Sequence, residues 1–173
     1  MTGTEIEILG LIAGRRERRP ARDLPALVQL FRRLGSCTSS EADETEDRIW
    51  GAWMHHPHRG AAASLDAATR DIAAKRYDIA ETRLTILLRS APQFAEAWHK
   101  RATLYYLLGR DVECLHDIRR TLELEPRHFA AMLHFAEILL GDGAAEEARF
   151  AFAAALTLHP HLPRARDALT DKP

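Results

Sequence analysis

The chain has 173 residues, 46% of them hydrophobic and 28% charged, the composition of a soluble globular protein. Twenty-four basic residues against 25 acidic ones leave a formal net charge of −1, which excludes a strongly basic nucleic-acid binder. No apolar run reaches the roughly 18 residues that a membrane span takes, and the two cysteines, Cys37 and Cys114, form no CxxC pair, so neither a disulfide framework nor a four-thiolate zinc site is available.

In chain order, the first feature is the apolar stretch Ile6 to Ala13. It contains Glu7, has no basic residue before it and is followed by Arg15, Arg16, Arg18 and Arg19, the reverse of a secretory signal. It is expected to stay in the protein and the chain to be cytoplasmic; a mis-assigned start codon that cut a signal short would make it periplasmic. Ile6, Ile8, Leu9, Leu11 and Ile12 form an apolar patch that must be buried somewhere. The arginines from Arg15 to Arg22 lack interleaved aromatics and read as a solvated segment, with Glu41 to Asp47 as counter-charge.

Leu24, Leu27, Val28, Phe31 and Leu34 follow i, i+3, i+4, i+7 spacing. Ser39 or Ser40 before Glu41, Asp43 and Glu44 reads as the cap of a further helix carrying Ile49, Trp50 and Trp53. A helical hairpin is predicted near 22–34 and 40–55. From Ala61 to Leu162 the chain then divides into three blocks of 34 residues. Pro92, Pro126 and Pro160 mark the period, each just past an apolar run, where a missing N–H and a locked φ do least harm to a helix. Ala68, Ala102 and Ala136 share block position 8, and Ala80, Cys114 and Ala148 share position 20, small side chains that let two helices approach closely. Leu84, Ile118 and Phe152, then Leu88, Leu122 and Leu156 four residues later, put large apolar groups on one face of each second helix. Gly109 and Gly143 stand at the turn, where Lys75 takes the place in the first block. Helices are predicted near 61–74, 78–90, 94–108, 112–124, 128–141 and 145–158. Pro163, Ala165, Ala168 and Leu169 predict a short closing helix, with a frayed tail from Thr170 to Pro173.

The central block reads Trp98, Ala102, Tyr105, Gly109, Cys114, Ile118, Leu122, Pro126, and in that order of large, small and breaking residues the chain resembles the tetratricopeptide-repeat (TPR) family. Block three keeps Met132, Ala136, Leu139, Gly143, Ala148, Phe152 and Pro160; block one departs at its front, with Ser64 and Asp71 where large apolar residues are usual. The hairpin with its Ile-Trp-x-x-Trp helix followed by three repeats is also similar to small bacterial TPR proteins. The resemblance implies an all-α, right-handed solenoid in three parts: an N-terminal segment 1–60 whose hairpin stacks on block one, three units at 61–94, 95–128 and 129–162, and a C-terminal cap at 163–173.

It also implies a concave groove lined by the first helices, with Glu96, His99, Lys100, Thr103, Tyr106, Leu133, His134 and Glu137 as the candidate peptide-binding set. Leu107, Leu140 and Ile72 are expected to pack against neighbouring helices instead. TPR domains that clamp acidic chaperone tails share a lysine, asparagine and arginine set; here Leu65, Thr69, Lys100, Ala130 and His134 stand at those places, so a chaperone tail is not the expected ligand.

The cluster His55-His56-Pro57-His58 invites a metal reading, but Pro57 breaks helical geometry between the imidazoles and no carboxylate or thiolate is near in sequence, so a solvated loop is expected. His99 and His134 are expected to face one another across the groove, two ligands being too few for zinc. No GxSxG elbow, glycine-rich phosphate loop or HExxH occurs. The expectation is therefore a non-catalytic adaptor with a protein or peptide partner, no nucleic acid, no cofactor and no metal. A competing expectation is a structural oligomer or switch in which residues 1–20 fill the groove, and a third is a metal-dependent enzyme built on the clustered histidines.

Overall fold

A computed structural model describes residues 1–22 and 24–170, which contain ten helices and no strand. The first, α1 (Gly3–Ala13), was not foreseen as a helix; Thr2 and Glu5 form a capping box that satisfies its first free N–H groups. The hairpin follows as α2 (Pro25–Ser36) and α3 (Ser39–Met54), the latter opened by a second capping box from Thr38 and Glu41. Three helix pairs come next: α4 (Arg59–Ala73) with α5 (Tyr77–Ser90), α6 (Ala95–Leu107) with α7 (Asp111–Leu124), and α8 (Phe129–Gly141) with α9 (Ala145–Leu156). Helix α10 (Pro163–Thr170) packs on α9 as the closing element, and the predicted tail beyond it, 171–173, lies outside the described residues.

The pairs pack as the periodic residues require. Ala68, Ala102, Ala136, Ala80, Cys114 and Ala148 are all fully buried, so no side-chain bulk separates the helices of a pair or of neighbouring pairs. Leu84, Ile118 and Phe152 fill the space beside them. At the turns Gly109 and Gly143 have φ of 66° and 76°, and Lys75 adopts the same left-handed conformation at 58°.

The N-terminal segment departs from its expected place. Rather than stacking on block one as an end cap, it straddles the array. Helix α1 lies against α7 and α9, with Ile8 and Ile12 fully buried there and Leu9 and Leu11 partly so, while Ile6 stays 57% exposed; the segment thus packs on the outer face and residues 1–20 do not fill the groove. The arginine run is solvated only in part: Arg16 and Arg19 are exposed, but three others are engaged. Arg18 donates to the carbonyls of Leu122 and Glu123 at 3.2 and 3.0 Å, satisfying the free C-terminal end of α7, Arg15 donates to Thr157 Oγ1 at 2.7 Å, and Arg22 donates to the His55 carbonyl at 2.7 Å. Ala21 N–H donates to Leu124 O at 2.7 Å, which fixes the crossing of the chain from one face to the other.

Helix α3 then runs along the ends of the inner helices in the direction opposite to the array. Ser39 at its start meets His161 after α9, Glu46 meets His159, Trp50 and Trp53 meet the start of α8 and the first turns of α6, and Met54 at its end packs with the α4–α5 cluster. Block three is thereby joined to block one by an element from outside the repeats.

Candidate functional site

The inner surface is built by α6 and α8, and α3 divides it into a covered half and an open half. In the covered half, Trp53 stacks on His128 at 4.2 Å between ring centroids and 10° between planes, and Phe129 sits 5.2 Å from the same indole. Trp50 lies 5.8 Å from His99 and 5.9 Å from Phe129, and its indole N–H donates to Glu46 at 3.0 Å. Glu46 in turn meets His159 Nε2 at 2.8 Å; that hydrogen bond, opposed by burial and assisted by Trp50, holds its carboxyl below the usual range.

Beneath the indoles lies a buried polar cluster. Glu96 and His99 are one turn apart on α6, so their side chains share a face, and His128 enters from the cap of α8. His128 Nε2 is 2.9 Å from Glu96 Oε2, His99 Nδ1 is 3.6 Å from Glu96 Oε1, and Lys100 Nζ is 3.2 Å from that same oxygen while lying 4.9 Å over the Trp50 ring. Burial works to raise the Glu96 carboxyl, but the hydrogen bond with His128, the nearby His99 imidazole and the charge of Lys100 outweigh it and keep Glu96 an anion. Burial, with the neighbouring His128, pushes His99 down to about 3, so it is a neutral imidazole near pH 7. Both of its ring nitrogens, together with His134 Nδ1 and Glu96 Oε1, lack a hydrogen-bond partner among the described residues.

Of the eight predicted groove residues, the structure thus removes Glu96 and His99 from solvent and half-covers Lys100. His134 does face His99, the rings stacked at 5.3 Å and 17°. Tyr106 stacks on the other side of His134 at 5.2 Å, and burial followed by the adjoining Glu137 raises its hydroxyl above the ordinary tyrosine value. Leu133 packs on the core cluster. Thr103, Tyr106 and Glu137 line the open half, and Glu137 is paired with Arg164 of α10. Leu107 and Leu140, expected to be packed away, are 54% and 45% exposed beside them; with α3 restricted to the first turns of α6 and α8, nothing among the described residues covers the last turns. Ile72 does pack, against the α4–α5 cluster.

The histidine loop His55-His56-His58 connects α3 to α4, with His56 resting on Phe94 at 4.7 Å. Cys114 is buried, and burial raises its thiol to about 12, far from a thiolate nucleophile. Cys37 Sγ lies 3.8 Å from His161 Nε2, a proximity across 124 residues that no local motif signals. His128 and the aromatic lid of α3 also escaped sequence reasoning; the Glu96-x-x-His99 spacing, a pair that faces one way on a helix, was the available sign of the cluster.

No family model matches the chain. A TPR repeat-containing protein of Rhizobium etli is 33% identical to it over 130 residues, which cover 73% of this chain and 64% of that relative. The chain therefore spans less than two thirds of the length of the relative it matches. Among the described residues no helix is long and apolar enough to cross a membrane.

Proposed function

Because the chain belongs to the tetratricopeptide-repeat family, we propose that it is a non-catalytic interaction scaffold that binds a segment of a protein partner along the half of the groove that α3 leaves open. The observation that carries this is the exposure of Leu107 and Leu140 at the ends of α6 and α8, on the helices that also carry Thr103, Tyr106 and the Glu137–Arg164 ion pair. An aromatic ring held by stacking, two exposed leucines and an oriented ion pair suit an extended or helical peptide, which needs apolar area for affinity and a few fixed polar groups for register. The ordering cost on the protein side is small, since His134 and the α10 contact already hold Tyr106 and Glu137 in place.

Helix α3 acts here as a lining of the groove and not as a stand-in for the partner. Leu27, Leu34 and Ile49 of the hairpin are fully buried, and burial of such side chains stabilises by about 1.5–3 kcal/mol each, so a partner that displaced the hairpin would have to replace all of it. The test is photo-crosslinking in the native host from a benzophenone side chain placed at Leu107 or Leu140, with Val112, exposed on α7, as the control position. Discrete partner adducts from Leu107 and Leu140 that disappear in Tyr106→Ala are expected. Adducts from Val112 alone, or adducts unchanged in a folded Tyr106→Ala, reject recognition in this half of the groove.

A further inference from the structure

We propose that Glu96, His99 and His128 form a zinc site that ties α6 to α8 beneath Trp50 and Trp53. Their ligand atoms all lie within 4.8 Å of one another, and all three residues are buried. Tetrahedral zinc with bonds of about 2.0–2.2 Å to imidazole nitrogen and carboxylate oxygen sets neighbouring ligand atoms roughly 3.3–3.6 Å apart. His128 Nε2 lies 2.9 Å from Glu96 Oε2 and His99 Nδ1 lies 3.6 Å from Glu96 Oε1, so each imidazole already stands beside one oxygen of the carboxylate, and small side-chain rotations close the three ligand atoms from within 4.8 Å to that range. Two histidines and a glutamate supply three protein ligands and leave a fourth position for water, while His134, stacked on His99, supports the ring from its other face.

The independent sign is His99 itself. Its side chain is 3% exposed, yet neither ring nitrogen has a hydrogen-bond partner among the described residues, an arrangement that costs free energy unless something else takes the lone pair. A cation between His99 Nδ1 and Glu96 Oε1 takes the lone pair of that nitrogen and replaces the Lys100 ammonium at the oxygen, leaving His99 Nε2 to carry the proton. Ligation through His128 Nε2 moves its proton to Nδ1 and gives up the bond that Nδ1 accepts from Ala131 N–H at 3.3 Å; that N–H keeps its bond to the His128 carbonyl at 3.1 Å. Lys100 is the competitor: its ammonium neutralises Glu96 from 3.2 Å, and its side chain, 19% exposed, can swing to solvent when the ion enters. The site lies beyond the open half of the groove and does not depend on partner binding.

The test uses the full chain purified without a histidine tag, with bound metal measured by mass spectrometry, followed by chelation and titration with Zn2+ and Co2+. About one zinc per chain is expected. Co2+ is expected to give the intense visible bands of a four-coordinate site and to quench tryptophan fluorescence, since Trp50 and Trp53 stack on the ligands. His99→Phe keeps the ring stacking and is expected to weaken zinc binding at least about 100-fold. Lys100→Met is expected to tighten it several-fold, and simultaneous His55→Ala, His56→Ala and His58→Ala to leave it unchanged. Folded wild-type protein that gives no four-coordinate Co2+ spectrum overturns the proposal, whether or not His99→Phe folds. Zinc retained equally by His99→Phe, or lost on changing only the 55–58 loop, overturns it as well.

Discussion

Lys75 occupies the turn position that glycine holds in the next two blocks, and it does so at φ 58°. A Cβ in the left-handed region costs about 1–2 kcal/mol relative to glycine, while glycine loses more chain entropy on folding. Lys75→Gly is therefore expected to stabilise the protein by roughly 0.5–1 kcal/mol, read as a higher urea midpoint with an unchanged m-value. Asp71 is another departure from the repeat pattern, and the structure explains it: the buried carboxylate accepts two bonds from Arg76, at 2.7 and 3.0 Å, and one from Arg83 at 3.1 Å. The Arg76 hydrogen bonds are the main cause that lowers its pKa, against burial and with help from Arg83. A carboxyl whose folded pKa lies below its unfolded value of about 3.9 stabilises the fold above that pH and loses the contribution as pH falls through the folded value. Asp71→Asn is accordingly expected to melt below the wild type at pH 7, with the two melting temperatures converging below about pH 4.

At the scale of elements, what the sequence discloses well is whatever is local. The 34-residue spacing of proline, alanine and glycine places six helices to within a few residues, because helix stops and small-residue contacts recur wherever a unit is repeated. The hairpin and the closing helix are readable from their 3.6-residue periodicity, although α3 is capped by Thr38 and not by Ser39 or Ser40, which lie inside it. Helix α1 has a Thr2-x-x-Glu5 capping box in its sequence, but its apolar residues, Ile6, Ile8, Leu9, Leu11 and Ile12, do not keep to one 3.6-residue stripe, so periodicity does not disclose it. The arginines were misread for a related reason. Arg18 is fixed by carbonyl oxygens at the end of α7, and an unfilled carbonyl leaves no trace in the side-chain sequence that precedes it by a hundred residues.

For the whole molecule, the N-terminal segment is a clasp and not an end cap: α1 on the outer face, an arginine-pinned crossing at Ala21, and α3 on the inner face from His161 to Met54. That docking could not be read from periodicity, which shows that a helix has an apolar face but not which distant face receives it. It decides the candidate site all the same. His99, His134 and Tyr106 stack in a row between α6 and α8, but α3 withdraws Glu96 and His99 from solvent and leaves Leu107 and Leu140 exposed. The most direct test is native-state hydrogen exchange on the full chain. If α3 is a permanent lining, the amides from Thr45 to Trp53 exchange within about tenfold of those from Phe135 to Leu139 in α8. Exchange in α3 faster by about 100-fold or more, with α8 still protected, would show the hairpin opening on its own and would return Glu96 and His99 to the groove.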